Sequence, residues 1–400
     1  MSNSSYGPHS GQPEGAMMSA SADDTTVHPK LSGRLDDPGR DLRTDPRLKP
    51  RLRAALAAFG LEAAAGPPPI DRTAAPEAIV EFVGESHAGF GGLYEALPND
   101  LPGDDDSVEF STDTVRGGDG NDITLRIYRS ANVTGPLPCT VYIHGGGMTI
   151  LDAFAKVHQR WCEDLAATGM VVIGVDFRNA YSAEGMHPFP AGLNDCTSAL
   201  EWVNDHRGQL DITSVVLQGE SGGANLVLAT ALKAKRDGHL DAINGVYAMV
   251  PYISGGYGWT DIRKLRELPS MIENDGYFIN CAMMDVLVAA YDPAGENAEN
   301  PLAWPYFATE ADLAGLPPHV ISVNELDPLR DEGMAYYRKL IAAGVPALGR
   351  VNLGLTHAAE MIFRQAVPED YFATVHDIKR FADSLSGHSP HPKTTLHAGT

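Results

Sequence analysis

The sequence predicts an α/β protein with a mostly parallel central sheet, helices on both faces of that sheet and an N-terminal helical cap. Apolar, β-branched runs such as C-T-V-Y-I-H and M-V-V-I-G-V-D-F alternate with helical patterns. Such an alternation is typical of a parallel sheet that helices bury on both faces. The chain has 400 residues, of which 43% are hydrophobic and 20% charged, so it has enough apolar material for a large core.

The N-terminal part of the chain falls into two segments of different composition. Residues 1–44 are rich in Ser, Gly, Pro, Asp and Thr, and we expect this segment to be disordered because it cannot offset the entropy lost on ordering. Residues 45–106 contain two helical patterns, at 45–60 and around 79–87, with apolar residues three and four positions apart. We interpret this second segment as a helical cap or lid.

Residues 107–386 are predicted to form the main domain, followed by a flexible tail at 387–400. The domain begins with a hairpin, because two strand patterns flank G-G-D-G-N-D, and Gly and Asn tolerate the positive φ of tight turns. Strand and helix patterns then alternate, with helices expected at about 154–168, 192–206, 222–235 and 334–343. Gly, Pro and aromatic residues interrupt the alternation at about 252–308, which we interpret as a pocket-shaping insertion.

The net charge argues against two classes of partner, and the N-terminal sequence and the apolar windows bear on the location of the protein. The formal net charge is -22, whereas nucleic acid and anionic membrane surfaces recruit Lys and Arg. We therefore expect no nucleic acid and no membrane as a partner. The N-terminus lacks the basic and apolar regions of a signal peptide, and no apolar window approaches the roughly 18 residues of a spanning helix. The chain is predicted to be cytoplasmic, with a homodimer left open as its assembly state.

A serine stands where a predicted strand meets a predicted helix. In V-V-L-Q-G-E-S-G-G-A-N-L, residues 215–226, Ser221 lies two positions from both Gly219 and Gly223. This is the G-x-S-x-G pattern of a nucleophile elbow, a turn too sharp for a Cβ at either glycine. Ligands of open α/β sheets bind beyond the carboxyl ends of the strands, so the pattern predicts a reactive hydroxyl there. A plain tight turn with a serine N-cap is the alternative.

A glycine run follows the strand pattern C-T-V-Y-I. Gly145, Gly146 and Gly147 come directly after His144, and without side chains their backbone N–H groups can face a ligand. Preorganised donors of this kind form the oxyanion hole that stabilises a tetrahedral intermediate. A phosphate-binding loop is the alternative, but no G-K-[ST] follows, and no G-x-G-x-x-G with a downstream acid is present.

The base that activates the serine is predicted to be His357. A serine hydroxyl needs a base, and the base needs a carboxylate that orients it. In sheets with this elbow the order along the chain is Ser, then acid, then His. Among the later histidines, His239 follows a polar helix and His319 begins a strand at the opposite end of the sheet. His357 lies after the last strand, and therefore at the carboxyl edge.

The orienting acid is predicted to be Asp327, in N-E-L-D-P-L-R-D-E-G. It follows the strand H-V-I-S-V-N, and Pro328 restricts the turn that holds it. Glu325, Asp331 and Glu332 are rivals in the same segment. We expect Asp331 and Glu332 to cap or solvate the helix that begins there.

No metal and no cofactor are expected. His357 and Glu360 have H-x-x-E spacing, but Met361 breaks an inverted zinc motif and no H-E-x-x-H is present. The cysteines lie far apart without a C-x-x-C pair, so we expect buried free thiols rather than disulfides or a zinc site. They are Cys139, Cys162, Cys196 and Cys281.

Taken together, these motifs resemble the hormone-sensitive-lipase branch of the α/β-hydrolases, the carboxylesterases that carry H-G-G-G. The resemblance covers about residues 138–357. Its motifs are H-G-G-G at His144, D-F-R-N-A at Asp176, H-P-F-P-A-G at His187, G-E-S-G-G-A-N-L at Gly219 and D-P-L-R-D-E-G at Asp327. It implies an α/β-hydrolase fold and a serine carboxylesterase activity.

Site residues follow from this resemblance by position. It implies Ser221 as the nucleophile, Asp327 as the orienting acid and His357 as the base. The implied oxyanion hole consists of backbone N–H groups of Gly146, Gly147 and Gly222, with Gly145 in the same loop. The chain departs from the family in having Gly222 where G-D-S-A-G-G has Ala, and H-A-A-E where many members have H-G-F. The second departure puts the pocket wall beside the base in doubt.

Several neighbouring residues are expected to be structural. We expect Arg178 and Asp195 to form an ion pair, His144 to hydrogen-bond backbone in the glycine loop, and Glu220 to orient backbone near it. Five large residues are candidates for the pocket lining, although core packing is the default expectation for each of them. They are Met148, Trp259, Tyr277, Phe278 and Trp304.

The expected substrate is an uncharged carboxylic ester or lactone, hydrolysed through an acyl-enzyme intermediate. An amide or formamide hydrolase with the same three residues is the main alternative. A non-catalytic ligand receptor on the same scaffold is a second one. Such receptors lose the base, so the presence of His357 argues against it.

Overall fold

A central eight-stranded sheet organises the molecule. The computed structural model describes residues 32–104 and 107–386. Its strands are β1 (Val108–Arg116), β2 (Asp122–Ser130), β3 (Leu137–Ile143), β4 (Val171–Asp176), β5 (Tyr181–Ser182), β6 (Gly185–Met186), β7 (Ile212–Glu220), β8 (Gly245–Met249), β9 (His319–Leu326) and β10 (Ala347–Thr356). The large sheet has the order β1-β2-β4-β3-β7-β8-β9-β10, and β5 pairs with β6 in a separate hairpin. The pairs β1–β2 and β2–β4 are antiparallel, and the other pairs of the large sheet are parallel. The predicted fold class is confirmed.

Helices cover both faces of this sheet. The α-helices of the described residues are α1 (Pro50–Ala58), α2 (Pro76–Ala96), α3 (Lys156–Ala167), α4 (Ala191–Asp205), α5 (Arg207–Leu210), α6 (Gly222–Asp237), α7 (Asp261–Glu267), α8 (Ser270–Glu273), α9 (Cys281–Tyr291), α10 (Glu310–Leu313), α11 (Arg330–Ala342), α12 (Ala359–Ile362) and α13 (Pro368–Leu385). Short 3-10 helices occur at Gly33–Leu35, Leu240–Ala242 and Pro305–Phe307. Helices α4, α6 and α11 pack on one face and α3 and α13 on the other. Two apolar cores result, one on each side of the sheet.

The buried strands explain why the sheet forms. Every residue of β3 and of β8 is buried, which is what their continuous apolar sequences require. The hairpin β1–β2 also forms as predicted, with Val108 opposite Ser130 and Arg116 opposite Asp122. All four cysteines are buried and unpaired, in agreement with the sequence prediction. Within 32–104 and 107–386, no helix has the length and apolar character needed to cross a bilayer.

The structure differs from the sequence prediction at residues 32–44, which were expected to be disordered. Leu42 is fully buried in a core, and the hydroxyl of Ser32 donates to Glu273 at 2.8 Å. These contacts join residues far apart in the chain, which local composition does not reveal. The predictions for 1–31 and for the tail at 387–400 lie outside the described residues. The division into a cap at 45–106 and a main domain at 107–386 stays a prediction.

Candidate active site

Ser221 occupies a sharp corner between β7 and α6. Its φ of 55° and ψ of -119° are unfavourable for a residue with a side chain. The neighbouring glycines make this corner possible. A Cβ on Gly223 would lie 2.0 Å from the carbonyl oxygen of Ile143, and one on Gly219 would lie 2.5 Å from the carbonyl carbon of Gly223. The backbone segments therefore approach too closely for any residue with a Cβ, as G-x-S-x-G predicts.

Two further side chains meet Ser221 at the same edge of the sheet. Asp327 directly follows β9 and His357 directly follows β10, so both lie at carboxyl ends of strands. Nε2 of His357 is 2.9 Å from Oγ of Ser221, and Nδ1 is 2.8 Å from Oδ2 of Asp327. The other carboxylate oxygen of Asp327 accepts the N–H of Leu329 at 2.9 Å, which fixes the carboxylate. The fold brings these three predicted residues together in a continuous chain of hydrogen bonds.

The rival acids have other partners. Glu325 accepts the N–H of Gly354 at 2.8 Å, and Asp331 accepts the N–H of Ser270 at 2.7 Å. The expectation that Glu332 caps or solvates α11 is wrong, because this residue is completely buried and the helix has no side-chain cap hydrogen bond. It accepts a hydrogen bond from the Tyr257 hydroxyl at 2.9 Å, and burial raises the pKa of its carboxyl to about 8.

The glycine loop lies against the start of α6. Gly146 and Gly147 have φ values of 101° and 62°, a region that favours glycine. A Cβ on Gly222 would lie 2.6 Å from the backbone nitrogen of Gly147, so the loop and the helix N-terminus are in close approach. In the described part of the chain, neither the N–H of Gly146 nor that of Gly147 has a protein acceptor. Both remain able to bind an oxygen atom.

Gly145 differs from the prediction that groups it with the oxyanion donors. Its N–H donates to Oε1 of Glu220 at 2.5 Å and is therefore already engaged. The same oxygen accepts the Tyr142 hydroxyl at 3.2 Å. Burial raises the pKa of Glu220 to about 8. Glu220 thus anchors the glycine loop, as the sequence suggested.

The segment H-A-A-E, where many family members have H-G-F, contains a further buried carboxyl, that of Glu360. Glu360 is completely buried, and its Oε2 accepts the side-chain amide of Asn324 at 2.5 Å. Burial raises the pKa of this group to about 7. Ala358 and Ile362, from the same segment, line the pocket. The pocket wall beside His357 is therefore apolar. The carboxyl of Glu360 does not line the pocket and instead hydrogen-bonds to Asn324.

Three of the residues expected to be structural, Arg178, Asp195 and His144, have the expected contacts. Arg178 donates to both carboxylate oxygens of Asp195, at 2.9 and 2.8 Å, and also pairs with Asp119. The ring of His144 is buried, with Nδ1 2.7 Å from the carbonyl oxygen of Gly145. Burial lowers its pKa well below the usual value, so the ring is neutral.

A narrow pocket of about 60 Å³ opens above Ser221. Of the five large residues proposed for its lining, Phe278 lines it. Met148, Tyr277 and Trp304 are buried in the cores, and Trp259 is partly buried and packs against one of them. Apart from Glu220, Ser221 and His357, the lining residues are glycine, aliphatic, methionine or aromatic residues. The lining consists of Phe90, Tyr94, Gly145, Gly146, Gly147, Ile150, Leu151, Glu220, Ser221, Tyr252, Phe278, Ile279, Met283, Met284, Leu287, His357, Ala358 and Ile362.

Sequence reasoning missed the helical side of this pocket. Phe90 and Tyr94 come from α2, and Met283, Met284 and Leu287 come from α9, inside the insertion at 252–308. The apolar run C-A-M-M-D-V-L-V-A-A-Y signals a buried helix there. Which of its side chains face Ser221 depends on tertiary packing, so the run alone does not identify them.

Comparisons with known proteins agree with this architecture. A family model described as α/β hydrolase fold matches residues 140–361. The carboxylesterase NlhH of Mycobacterium tuberculosis is 34% identical over 236 residues, covering 57% of this chain and 69% of that protein. The structure of brefeldin A esterase, a bacterial homologue of human hormone-sensitive lipase, is 55% identical with a TM-score of 0.89 and covers 90% of this chain and 99% of its own. Esterase Est22 is 35% identical with a TM-score of 0.74, covering 86% and 99%.

The similarity to brefeldin A esterase is also visible in short segments of this sequence. H-G-G-G-M-T-I-L, R-W-C-E-D-L-A, P-Y-I-S-G-G-Y and L-P-S-M-I-E-N-D-G-Y-F-I resemble that enzyme. Three of these segments adjoin the site, since the first contains the glycine loop, the third contains Tyr252 of the lining and the fourth ends in Phe278 and Ile279 of the lining. The structural match confirms this resemblance.

Proposed function

Since this chain belongs to the α/β-hydrolase-fold family, and its relatives there include a carboxylesterase, an arylesterase and brefeldin A esterase, we propose that it is a serine carboxylesterase. Ser221 acts as the nucleophile, His357 as the base and Asp327 as the orienting acid. The hydrogen-bonded chain from Oγ of Ser221 through His357 to Asp327 carries this proposal. A histidine that hydrogen-bonds the serine hydroxyl can accept its proton, and an acid that hydrogen-bonds the histidine holds the ring in place. This arrangement makes the serine hydroxyl nucleophilic.

The proposed reaction proceeds in two halves. Nε2 of His357 accepts the hydroxyl proton while Oγ of Ser221 attacks the ester carbonyl carbon, and Asp327 stabilises the imidazolium that forms. The imidazolium then donates its proton to the departing alcohol oxygen, which leaves an ester on Ser221. Water, activated by the same imidazole, attacks this acyl-enzyme and releases the carboxylic acid.

The negative charge of each tetrahedral intermediate needs hydrogen-bond donors. We assign this role to the backbone N–H groups of Gly146, Gly147 and Gly222. The first two have no protein acceptor among the described residues, and the third begins α6, where the helix dipole favours an anion. Gly145 is left out of this set because Glu220 holds its N–H.

The pocket lining supports uncharged esters or lactones as substrates. Aromatic, Met, Leu and Ile side chains surround Ser221, and such a surface disfavours a charged ligand that cannot be paired there. The similarity to brefeldin A esterase adds macrocyclic lactones to the candidates.

Turnover by Ser221→Ala tests this function. Wild type should hydrolyse p-nitrophenyl acetate, and the variant should lose about 10⁴-fold or more in kcat while its circular dichroism spectrum is unchanged. Ser111→Ala, at an exposed serine on β1, is the matched control and should keep wild-type turnover.

Two outcomes would favour other functions. If wild type hydrolysed the matched p-nitroanilide as fast as the ester, an amide hydrolase with the same residues would be the better description. A wild-type protein that binds esters without hydrolysing them would indicate a receptor.

A further inference from the structure

The pocket above Ser221 is too small for most of a large ester. By the same measure a single water needs about 10–15 Å³, so about 60 Å³ holds only a few atoms. The reacting carboxyl group and a short chain fill this space. Any further part of a substrate has to leave it past the lining side chains.

A second cavity lies next to the first one. It measures about 600 Å³ and shares Phe90 and Met283 with the pocket above Ser221. Ser86 and Asn280 are its polar side chains, and no lining side chain in this described region is charged. The groove is lined by Phe59, Leu61, Gly66, Pro68, Phe82, Ser86, Gly89, Phe90, Gly92, Leu93, Ala96, Asn280 and Met283.

Two glycines of α2 form part of the groove wall. Gly89 and Gly92 are three positions apart, and therefore on one face of the helix. A Cβ on either would meet no atom within 4 Å. Gly84, in the same helix, is different because its Cβ would lie 2.7 Å from the Tyr181 hydroxyl oxygen. Glycine inside a helix is destabilising relative to alanine, and packing does not require it at positions 89 and 92. Both residues line the groove, so a side chain at either position would occupy part of it.

We propose that this groove binds the apolar, uncharged part of the substrate that extends beyond the reacting ester. Phe90 and Met283 form the neck between the groove and Ser221. The inference rests on the proposed esterase function and specifies its substrates: esters or lactones with a bulky apolar portion on one side of the scissile bond. The two lining residues that the groove shares with the pocket at Ser221 favour substrate as the occupant over another segment of protein.

Filling the groove from α2 tests the proposal. Gly89→Leu and Gly92→Leu each place an apolar side chain in the groove. Gly91→Leu is the matched control, because Gly91 is in the same helix, also faces open space and does not line the groove. Three substrates separate the possibilities: p-nitrophenyl acetate is short on the acyl side, p-nitrophenyl decanoate is long on the acyl side, and decyl acetate is long on the alcohol side.

The groove variants should lose about tenfold or more in kcat/KM for at least one of the two long esters, mainly through KM. Which ester is affected tells whether the groove receives the acyl or the alcohol portion. Turnover of p-nitrophenyl acetate should stay at the wild-type level, and Gly91→Leu should behave as wild type with all three. Leucine favours helix more than glycine does, so thermal unfolding followed by circular dichroism should show both groove variants folded.

Wild-type kcat/KM for both long esters in both groove variants would overturn the inference, and the groove would then hold a chain segment, a second copy or nothing. That result is distinguishable from failure of the proposed function. If the function itself is wrong, wild type will not hydrolyse even p-nitrophenyl acetate.

Discussion

The glycines at the sheet edge and the glycines of α2 have opposite surroundings. At the edge, a Cβ on Gly223 would lie 2.0 Å from the carbonyl oxygen of Ile143, so the backbone leaves no room. On α2, a Cβ on Gly89 or Gly92 would meet nothing within 4 Å. The first arrangement holds reacting atoms in place by crowding, whereas the second leaves a volume for something else. Under the two proposals above, chemistry and substrate selection reside in different parts of the molecule.

The two regions also differ in charge. Around the corner at Ser221 the fold buries the carboxyl groups of Asp327, Glu220 and Glu360, and each has a hydrogen-bond partner. The described lining of the groove contains no charged side chain. Electrostatics can therefore influence turnover at the edge, while the groove contributes apolar contact.

Asp327→Asn should give the largest effect and tests the sheet-edge half of the contrast. Asparagine cannot stabilise the imidazolium and disturbs the tautomer of His357, so kcat for p-nitrophenyl acetate should fall by about 10⁴-fold. Glu325→Gln is the matched control, since Glu325 bonds to Gly354 and not to His357. Equal losses in the two variants would mean that Asp327 has no special role.

The free energies of unfolding of Gly223→Ala and Gly91→Ala compare a crowded glycine with one that faces open space. Overpacking against Ile143 should lower the free energy of unfolding of Gly223→Ala by about 1–3 kcal/mol or more. Gly91→Ala should raise it by about 0.5–1 kcal/mol, because alanine is the better helix former and meets no neighbour. Urea unfolding measures both. The contrast would fail if Gly223→Ala were as stable as wild type.

Glu220→Gln tests the buried carboxyl near Ser221 through the pH dependence of stability. Its effect on the free energy of unfolding should be smaller than that of Gly223→Ala. Burial raises the pKa of Glu220 to about 8, above its ordinary value of 4.5, so the folded state binds the proton more tightly than the unfolded state. The resulting stabilisation is complete below about pH 4.5 and is lost as pH rises toward 8. Glutamine does not titrate, so the variant should gain stability relative to wild type between these values.

Unfolding in urea at several pH values measures this difference. Glu95→Gln, at an exposed residue of α2, is the control and should follow the wild-type pH dependence. If the difference between Glu220→Gln and wild type did not change with pH, the carboxyl would titrate alike in the folded and unfolded states.

Most of the sheet and the three residues at its edge could be predicted because their signals are local. The β-branched runs from Cys139 onward indicate buried strands, and the glycines around Ser221 indicate a turn that no other residue tolerates. The position of His357 after the last strand then predicts its proximity to Ser221, because carboxyl ends of parallel strands meet at one edge. The distances of 2.9 and 2.8 Å agree with that reasoning.

Features that depend on contacts between distant segments could not be predicted in the same way. Glu332 has the sequence position of a solvated first-turn acid but is buried against Tyr257, 75 residues away in the chain. The N–H of Gly145 belongs to a glycine run, yet Glu220 occupies it. The groove requires α2 and α9 to pack together, and the apolar run of α9 indicates a buried helix without showing which helix it packs against. Helix α13 was likewise not identified from the sequence.

Covalent labelling with an organophosphonate ester tests the central claim most directly, because such reagents modify serines that a neighbouring base activates. Peptide mass spectrometry locates the modified residue. We predict modification at Ser221 in wild type and little or none in His357→Ala. Modification of a different serine, or equally fast modification of Ser221 without His357, would contradict the account.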